Sequence, residues 1–315
     1  MKDKELISVI VPVFNEAEVI GTFYKRLKSV VESLAPLSYE IVFVDDGSKD
    51  DSHQRLIDLA NSDLNVKIIK FSRNFGHQVA ITAGIEIAKG DVVVVIDADL
   101  QDPPEVIVDF LKKWREGYDV VYAVREKREG EGKLKLYTAA MFYRLLKSIT
   151  KIDVPVDTGD FRLMSRKVVD HFKELKETDR FVRGLVSWIG FKQVGVFYKR
   201  DKRYAGHTKY PYRKMFKFAL DGITSFSSVP LKLATWLGYF TSFLAFLYLS
   251  TVFFQKIMGI TVQGFATIMV GMLFLGGVQL ICLGIIGEYI GRIFSETKKR
   301  PMYVIEDIYQ SKGDG

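Results

Sequence analysis

The chain has 315 residues, a net charge of +7 and a single cysteine, Cys282. That length supports one substantial α/β domain plus an appendage, and one cysteine rules out a disulfide framework or a Cys-based metal site. The basic balance suits anionic lipid or nucleic acid; next to two long apolar stretches it favours lipid, so no nucleic-acid partner is expected.

In chain order, Leu6–Val13 reads as a strand, Glu18–Leu34 as a helix and Glu40–Val44 as a second strand. A helix over Ser52–Asn61, a strand over Val66–Phe71, a helix over His77–Ala88 and a strand over Val92–Ile96 follow. Alternation of this kind implies a mostly parallel sheet covered by helices on both faces. No G-x-G-x-x-G follows the first strand and no G-x-x-x-x-G-K-[ST] occurs, so neither a dinucleotide fold nor a P-loop is supported.

Three strands end in polar loops: Pro12-Val13-Phe14-Asn15-Glu16, Asp45-Asp46-Gly47-Ser48 and Asp97-Ala98-Asp99. A doubly wound sheet binds its ligands at the carboxyl ends of its strands. A base or sugar can lie over Pro12 and Phe14 while Asp46 accepts a hydrogen bond from a base N–H. Asp97 and Asp99, at i and i+2 at the end of the Val92–Ile96 strand, are expected to point to one face. An oxygen-rich pair there suits Mg²⁺ or Mn²⁺ holding a diphosphate. Asp102-Pro103-Pro104 reads as the start of a helix.

Beyond Leu231 the composition changes. Leu233–Phe254 and Phe265–Ile286 carry no charged residue, and each is long enough to cross a bilayer core of about 30 Å. Arg213, Lys214, Lys217 and Lys232 precede the first stretch; Arg292, Lys298, Lys299 and Arg300 follow the second; the short link holds only Lys256. The positive-inside rule then puts both ends and the large domain in the cytoplasm, at the inner (plasma) membrane. Met1–Glu5 runs straight into a strand, so no signal peptide is expected. The expected organisation is a domain over 1–210, a juxtamembrane amphipathic helix over 211–231, two spans within 232–290 and a cytoplasmic tail over 291–315.

Two further segments have helical apolar spacing, Lys133–Ile149 and Tyr212–Val229. Either they lie on the bilayer surface or they face the core of the soluble domain. Lys192–Lys217 is rich in Lys and Arg against one acid, Asp201, with Tyr198, Tyr204, Tyr210 and Tyr212 interleaved. A basic run standing just before the membrane suits anionic headgroups, at about 1 kcal/mol per residue, or one lipid phosphate.

Val11-Pro-Val-Phe-Asn-Glu16, Val44-Asp-Asp-Gly-Ser48, Ser72-Arg-Asn-Phe-Gly76 and Asp97-Ala-Asp-Leu-Gln-Asp-Pro-Pro104 resemble the catalytic domain of glycosyltransferase family 2, with its GT-A fold. With Asp157-Thr-Gly-Asp-Phe-Arg162 and the terminal Gly287-Glu-Tyr-Ile-Gly-Arg292, the chain is similar to the polyprenyl-phosphate glycosyltransferases. These include undecaprenyl-phosphate glucosyltransferases and, more distantly, dolichol-phosphate-mannose synthases.

The resemblance implies a GT-A domain plus a C-terminal two-helix transmembrane hairpin. It puts the nucleotide on Pro12, Phe14, Glu16, Asp46 and Asp97, and Mg²⁺ or Mn²⁺ on Asp97 and Asp99 with Gln101 nearby. It assigns catalysis to Asp99 and Asp157, the latter as base. A lipid monophosphate, with a second pKa of about 6, needs little deprotonation, so Asp157 could equally orient the acceptor or stabilise charge at the anomeric carbon. Asp160 is expected to be structural and His207 a loop residue. Arg200-x-x-Arg203-x-x-Gly206-x-Thr208-Lys209-Tyr210 resembles the acceptor loop of the family, which makes Arg200, Arg203 and Lys209 the candidate phosphate ligands.

The implied reaction moves one sugar from a UDP-sugar to undecaprenyl phosphate with inversion, by an enzyme expected to form homo-oligomers, as tetramers in the family. GDP-mannose is the alternative donor, and a fold-retaining assembly protein the alternative class. A processive synthase is disfavoured, since no Q-x-x-R-W is found and two spans are too few for a channel.

Overall fold

The computed structural model describes residues 5–126, 158–178, 180–201, 228–259 and 264–311. Segment 133–149 and all but residues 228–231 of segment 211–231, both expected to be amphipathic, lie outside them, as do Asp157, Arg203, His207 and Lys209.

The chain forms two units. One combines the N-terminal domain with residues 300–315; the other holds the apolar hairpin. In the first, β1 (Leu6–Val13), β2 (Ser38–Asp45), β3 (Val66–Phe71) and β4 (Val92–Val95) are mutually parallel. They alternate with helices α1 (Ala17–Ser33), α2 (Ser52–Ser62) and α3 (His77–Ile87). After β4 come α4 (Val106–Arg115), β5 (Val120–Arg125), β6 (Thr158–Ser165), α5 (Arg166–Glu174), α6 (Val182–Ile189) and β7 (Gln193–Tyr198). An eighth strand, β8 (Ile305–Gln310), completes a mixed sheet of order β7-β5-β6-β4-β1-β2-β3-β8.

The sequence explains the layers. β1 turns Ile7, Val9, Val11 and Val13 into the same apolar core as Val19, Ile20, Phe23 and Leu27 of α1, spaced three or four apart as a buried helical face requires. On the opposite face, α3 lies so close that a Cβ on Gly84 would stand 2.1 Å from Cγ2 of Ile10 and 3.3 Å from Cγ2 of Val44. β4 is four consecutive valines, all buried, as a central strand covered on both faces demands.

The direction of winding fixes the site. From β1 the chain steps outward to β2 and β3, then returns to lay β4 on the other side of β1. Loops leaving β1 and β4 therefore diverge, and a crevice opens between their carboxyl ends.

The C-terminal segment departs from the plain tail expected beyond residue 291. After the hairpin, Ile305–Gln310 runs antiparallel to β3, pairing Ile69 with Ile308. Tyr303 stacks on Phe71 (5.1 Å between ring centroids) and donates a 2.7 Å hydrogen bond to Glu86. The strand covers the sheet edge that β3 would otherwise leave open.

In the second unit, α7 (Val229–Ile257) and α8 (Phe265–Thr297) contain the expected spans and extend both. Their most apolar 18-residue stretches have mean hydropathies of 1.6 and 2.3, and almost none of either stretch is buried in protein. Such apolar surface does not stay in water, and at 1.5 Å per residue both helices exceed the length a bilayer core needs.

Gly84→Ala tests the tight α3–β1 packing. A helix interior gains about 1 kcal/mol from this exchange, but overpacking costs about 1–3 kcal/mol. Ile10, fully buried in a central strand, has no room to give. A lowered melting temperature is expected by calorimetry.

Candidate active site

The loop after β1 is held by side chains from the loop after β2. Ser48 Oγ accepts from Asn15 N (3.0 Å), Ser52 Oγ from Glu16 N (2.9 Å), and Asn15 Oδ1 from Lys49 N (2.8 Å). Asn15 takes a positive φ of 55°, which Asn tolerates better than most residues. Phe14 is left with its ring exposed at the crevice while Pro12 remains buried in β1.

Asp46 is buried and does more than its sequence suggests. Its carboxylate accepts from Phe75 N (2.6 Å), Gly76 N (2.9 Å) and Asn74 Nδ2 (2.9 Å), so it organises the loop after β3. Gly47 permits this closeness. Its φ is +69°, and a Cβ there would lie 2.5 Å from the carbonyl carbon of Arg73. Any other residue would push the two loops apart.

β4 ends at Val95, so Asp97 and Asp99 do not share a strand face as expected; they lie in the turn that leads to Leu100, a buried residue with φ of 60°. Asp99 Oδ1 accepts from Gln101 N at 3.1 Å. Oδ1 of Asp97 is buried without a hydrogen-bond partner, with His77 Nε2 at 3.5 Å. Burial pushes the Asp97 carboxyl up to about 6; the acids Asp160, Asp102 and Asp99 add to the rise, and His77 opposes it. An orphaned buried oxygen and a surplus of negative charge fit a hard divalent cation. Among the described residues no three acidic, His or Cys side chains form a cage of their own. Mg²⁺ commonly uses one or two carboxylates and takes its remaining ligands from substrate phosphate and water.

Beneath this pair lies a cluster of which the sequence motifs single out Asp160 alone. Asp160 receives Arg183 through two hydrogen bonds (Nε 2.8 Å, Nη2 3.1 Å), Gln78 Nε2 at 3.1 Å and His77 Nε2 at 3.3 Å. Burial opposes its charge, yet Arg183 and His77 hold its carboxyl well below the usual range. Asp160, expected to be structural, knits α3, β6 and α6 together. His77 follows directly on the Ser72–Gly76 motif and could have been noticed there. Arg183 has no sequence signal, because only tertiary folding brings it to Asp160.

Of the three candidate phosphate ligands, Arg200 alone is described; it lies just beyond β7, with Nε 3.4 Å from Asp102 Oδ1. Gln101 is half-buried, and its carbonyl accepts from Asp201 N (2.9 Å). The structure thus gathers Phe14, Glu16, Asp46, Asp97, Asp99, Gln101 and Arg200 among the loops around one crevice.

Residues 8–172 match glycosyl transferase family 2, and residues 229–293 match the GtrB C-terminal hairpin. The chain belongs to glycosyltransferase family 2. This family member is 55% identical over 303 residues to the glycosyltransferase YkcC of Bacillus subtilis, covering 96% of this chain and 94% of that one. It is 48% identical over 304 residues to a glycosyltransferase of Synechocystis (96% and 95% covered). It is 46% identical over 302 residues to the bactoprenol glucosyl transferase of Shigella phage SfV (96% and 98% covered). The mixed, mostly parallel sheet with acidic loops at its carboxyl edge is the GT-A architecture expected of such a glycosyltransferase.

Asp46→Ala strips two backbone donors of their acceptor, at about 1–3 kcal/mol for each donor left buried. Amide exchange at Phe75 and Gly76 is expected to accelerate by roughly 10-fold or more, measured by mass spectrometry.

Proposed function

We propose that the chain transfers a glucosyl residue from UDP-glucose to undecaprenyl phosphate on the cytoplasmic leaflet, releasing UDP. One observation carries this reading: a family 2 catalytic sheet and a GtrB-type hairpin occur in a single chain, in the order of a bactoprenol glucosyl transferase matched over nearly its whole length.

Phe14 offers the donor's base an exposed aromatic face, and Pro12, Glu16 and Asp46 shape the floor and walls around it. Asp97, whose buried Oδ1 has no hydrogen-bond partner, and Asp99 would hold the divalent cation at the diphosphate end of the donor. Bound there, Mg²⁺ or Mn²⁺ supplies Lewis-acid stabilisation of the charge that develops on departing UDP. Arg200, with Arg203 and Lys209 on the same basic stretch, receives the lipid phosphate. A phosphate oxygen of the acceptor attacks the anomeric carbon as the bond to the β-phosphate oxygen of UDP breaks, inverting the centre. The acceptor is largely dianionic near neutrality, its second pKa being about 6, so the step requires no proton removal. That leaves Asp157 to orient the acceptor or to stabilise positive charge at the anomeric carbon.

The return strand supports the membrane orientation. β8 follows both apolar helices in sequence yet pairs with β3 in the sheet that precedes them. Both ends of the hairpin therefore lie on one side of the bilayer, and the Lys/Arg bias makes that side cytoplasmic.

Purified protein incubated with radiolabelled UDP-glucose, undecaprenyl phosphate and Mn²⁺ or Mg²⁺ should yield a labelled, mild-acid-labile lipid. EDTA or Asp99→Ala should abolish it, and UDP-galactose and GDP-mannose should transfer far less label. Label taken only from GDP-mannose would replace the donor. No transfer from any donor by folded protein would favour an assembly role.

A further inference from the structure

Asp102 has no role in the reaction described above, and it is one of the most deeply buried acids in the chain. It is fully inaccessible to solvent, and its Oδ2 has no hydrogen-bond partner. A lone ionised carboxylate so placed costs several kcal/mol, and a Pro-Pro helix start needs no acid in that position. One hydroxyl and one cation face it. Tyr198, the last residue of β7, donates its hydroxyl to Oδ1, and Arg200 presents Nε 3.4 Å from the same oxygen. Arg125 reaches the same group indirectly, its Nε donating to Tyr198 Oη at 3.4 Å.

Two further links join the same pair of segments. Gln101 O accepts from Asp201 N at 2.9 Å. Arg26 of α1 makes a fork onto Glu105 (2.7 and 2.9 Å) and reaches Asp201 with Nη1 at 3.0 Å. Arg200 and Asp201, within the basic stretch, are thus stapled to the loop that carries Asp97, Asp99 and Gln101. The outer staple is half exposed and worth little. The Asp102 staple is dry, which makes it stronger and less tolerant of change.

We propose that Asp102 is a positioning residue for acceptor binding. It fixes the Arg200 guanidinium against the Asp97–Gln101 loop, so that the acceptor's phosphate and the donor's diphosphate are held from one rigid support. Nε is the guanidinium atom nearest Asp102, held there by charge at 3.4 Å without a hydrogen bond, and an arginine oriented through that edge can offer its two terminal nitrogens to a phosphate as a fork. The inference rests on the proposed transfer to a polyprenyl phosphate, because it gives Arg200 a phosphate to bind.

The test is a double-mutant cycle on full-length protein, with undecaprenyl phosphate and UDP-glucose as probes. Asp102→Asn keeps the shape and the acceptor for Tyr198 but removes the charge that holds Arg200. It should raise KM for undecaprenyl phosphate or lower kcat by roughly 10- to 100-fold, as loss of orientation does, while UDP affinity by calorimetry stays at the wild-type value. Arg200→Ala should show the same pattern, and the double variant should be no worse than Arg200→Ala alone.

Additive losses in the cycle, or UDP affinity falling in parallel with acceptor use, would overturn the proposal and leave Asp102 as a fold element. If Asp102→Asn fails to fold, Tyr198→Phe, which keeps the ring against Phe161, takes its place in the cycle with the same criteria. A wild-type enzyme that transfers no sugar to undecaprenyl phosphate would instead refute the acceptor itself, an outcome distinct from additivity.

Discussion

The crevice between β1 and β4 is the constraint on which the rest of this molecule depends. It exists because the chain leaves β1 in one direction and returns on its other side. Four buried valines then deliver two carboxylates to its rim. Holding such acids together is unfavourable by itself, and the fold offsets this from below. Arg183, Gln78 and His77 occupy Asp160 completely, so that charge stays bound within the protein while Asp97 keeps an oxygen in reserve. The acids at the rim are left in a state that a cation relieves, which is the electrostatic condition for gripping a metal–diphosphate pair.

The loops around the crevice support each other. Ser48 and Ser52 cap the chain after β1, Asp46 gathers the chain after β3, and Gly47 lets two backbones meet. On the far side Asp102 binds the chain after β7. Each contact links loops distant in sequence. On the proposed reading, donor and acceptor halves of the site would share a frame, as a single displacement between two phosphorylated partners requires.

The order of the first seven elements was legible because their signals are local. Apolar runs of the right length lie between turn residues, and helical spacing appears where helices form. β3 runs over the very residues its pattern indicates, Val66–Phe71. The two apolar helices were legible from length and absence of charge. β8 was not, since Ile305–Gln310 alternates weakly and its partner strand lies more than 230 residues earlier. The site was legible as a set of carboxylates and arginines and illegible as a network. Asp102 looked like a helix start beside two prolines, because its partners Tyr198 and Arg200 are found only after folding. Asp46 offered a similar ambiguity, for a carboxylate that could face a base also organises the loop after β3.

The most direct check on direct transfer between the two phosphorylated partners is the stereochemistry of the product. Nuclear magnetic resonance of the lipid formed from UDP-glucose, whose glucosyl bond is α, should show a single β-glucosyl phosphodiester through its proton–proton and proton–phosphorus couplings. An α-linked product would mean two displacements or retention at one face, and would contradict in-line attack by the lipid phosphate across the β1–β4 crevice.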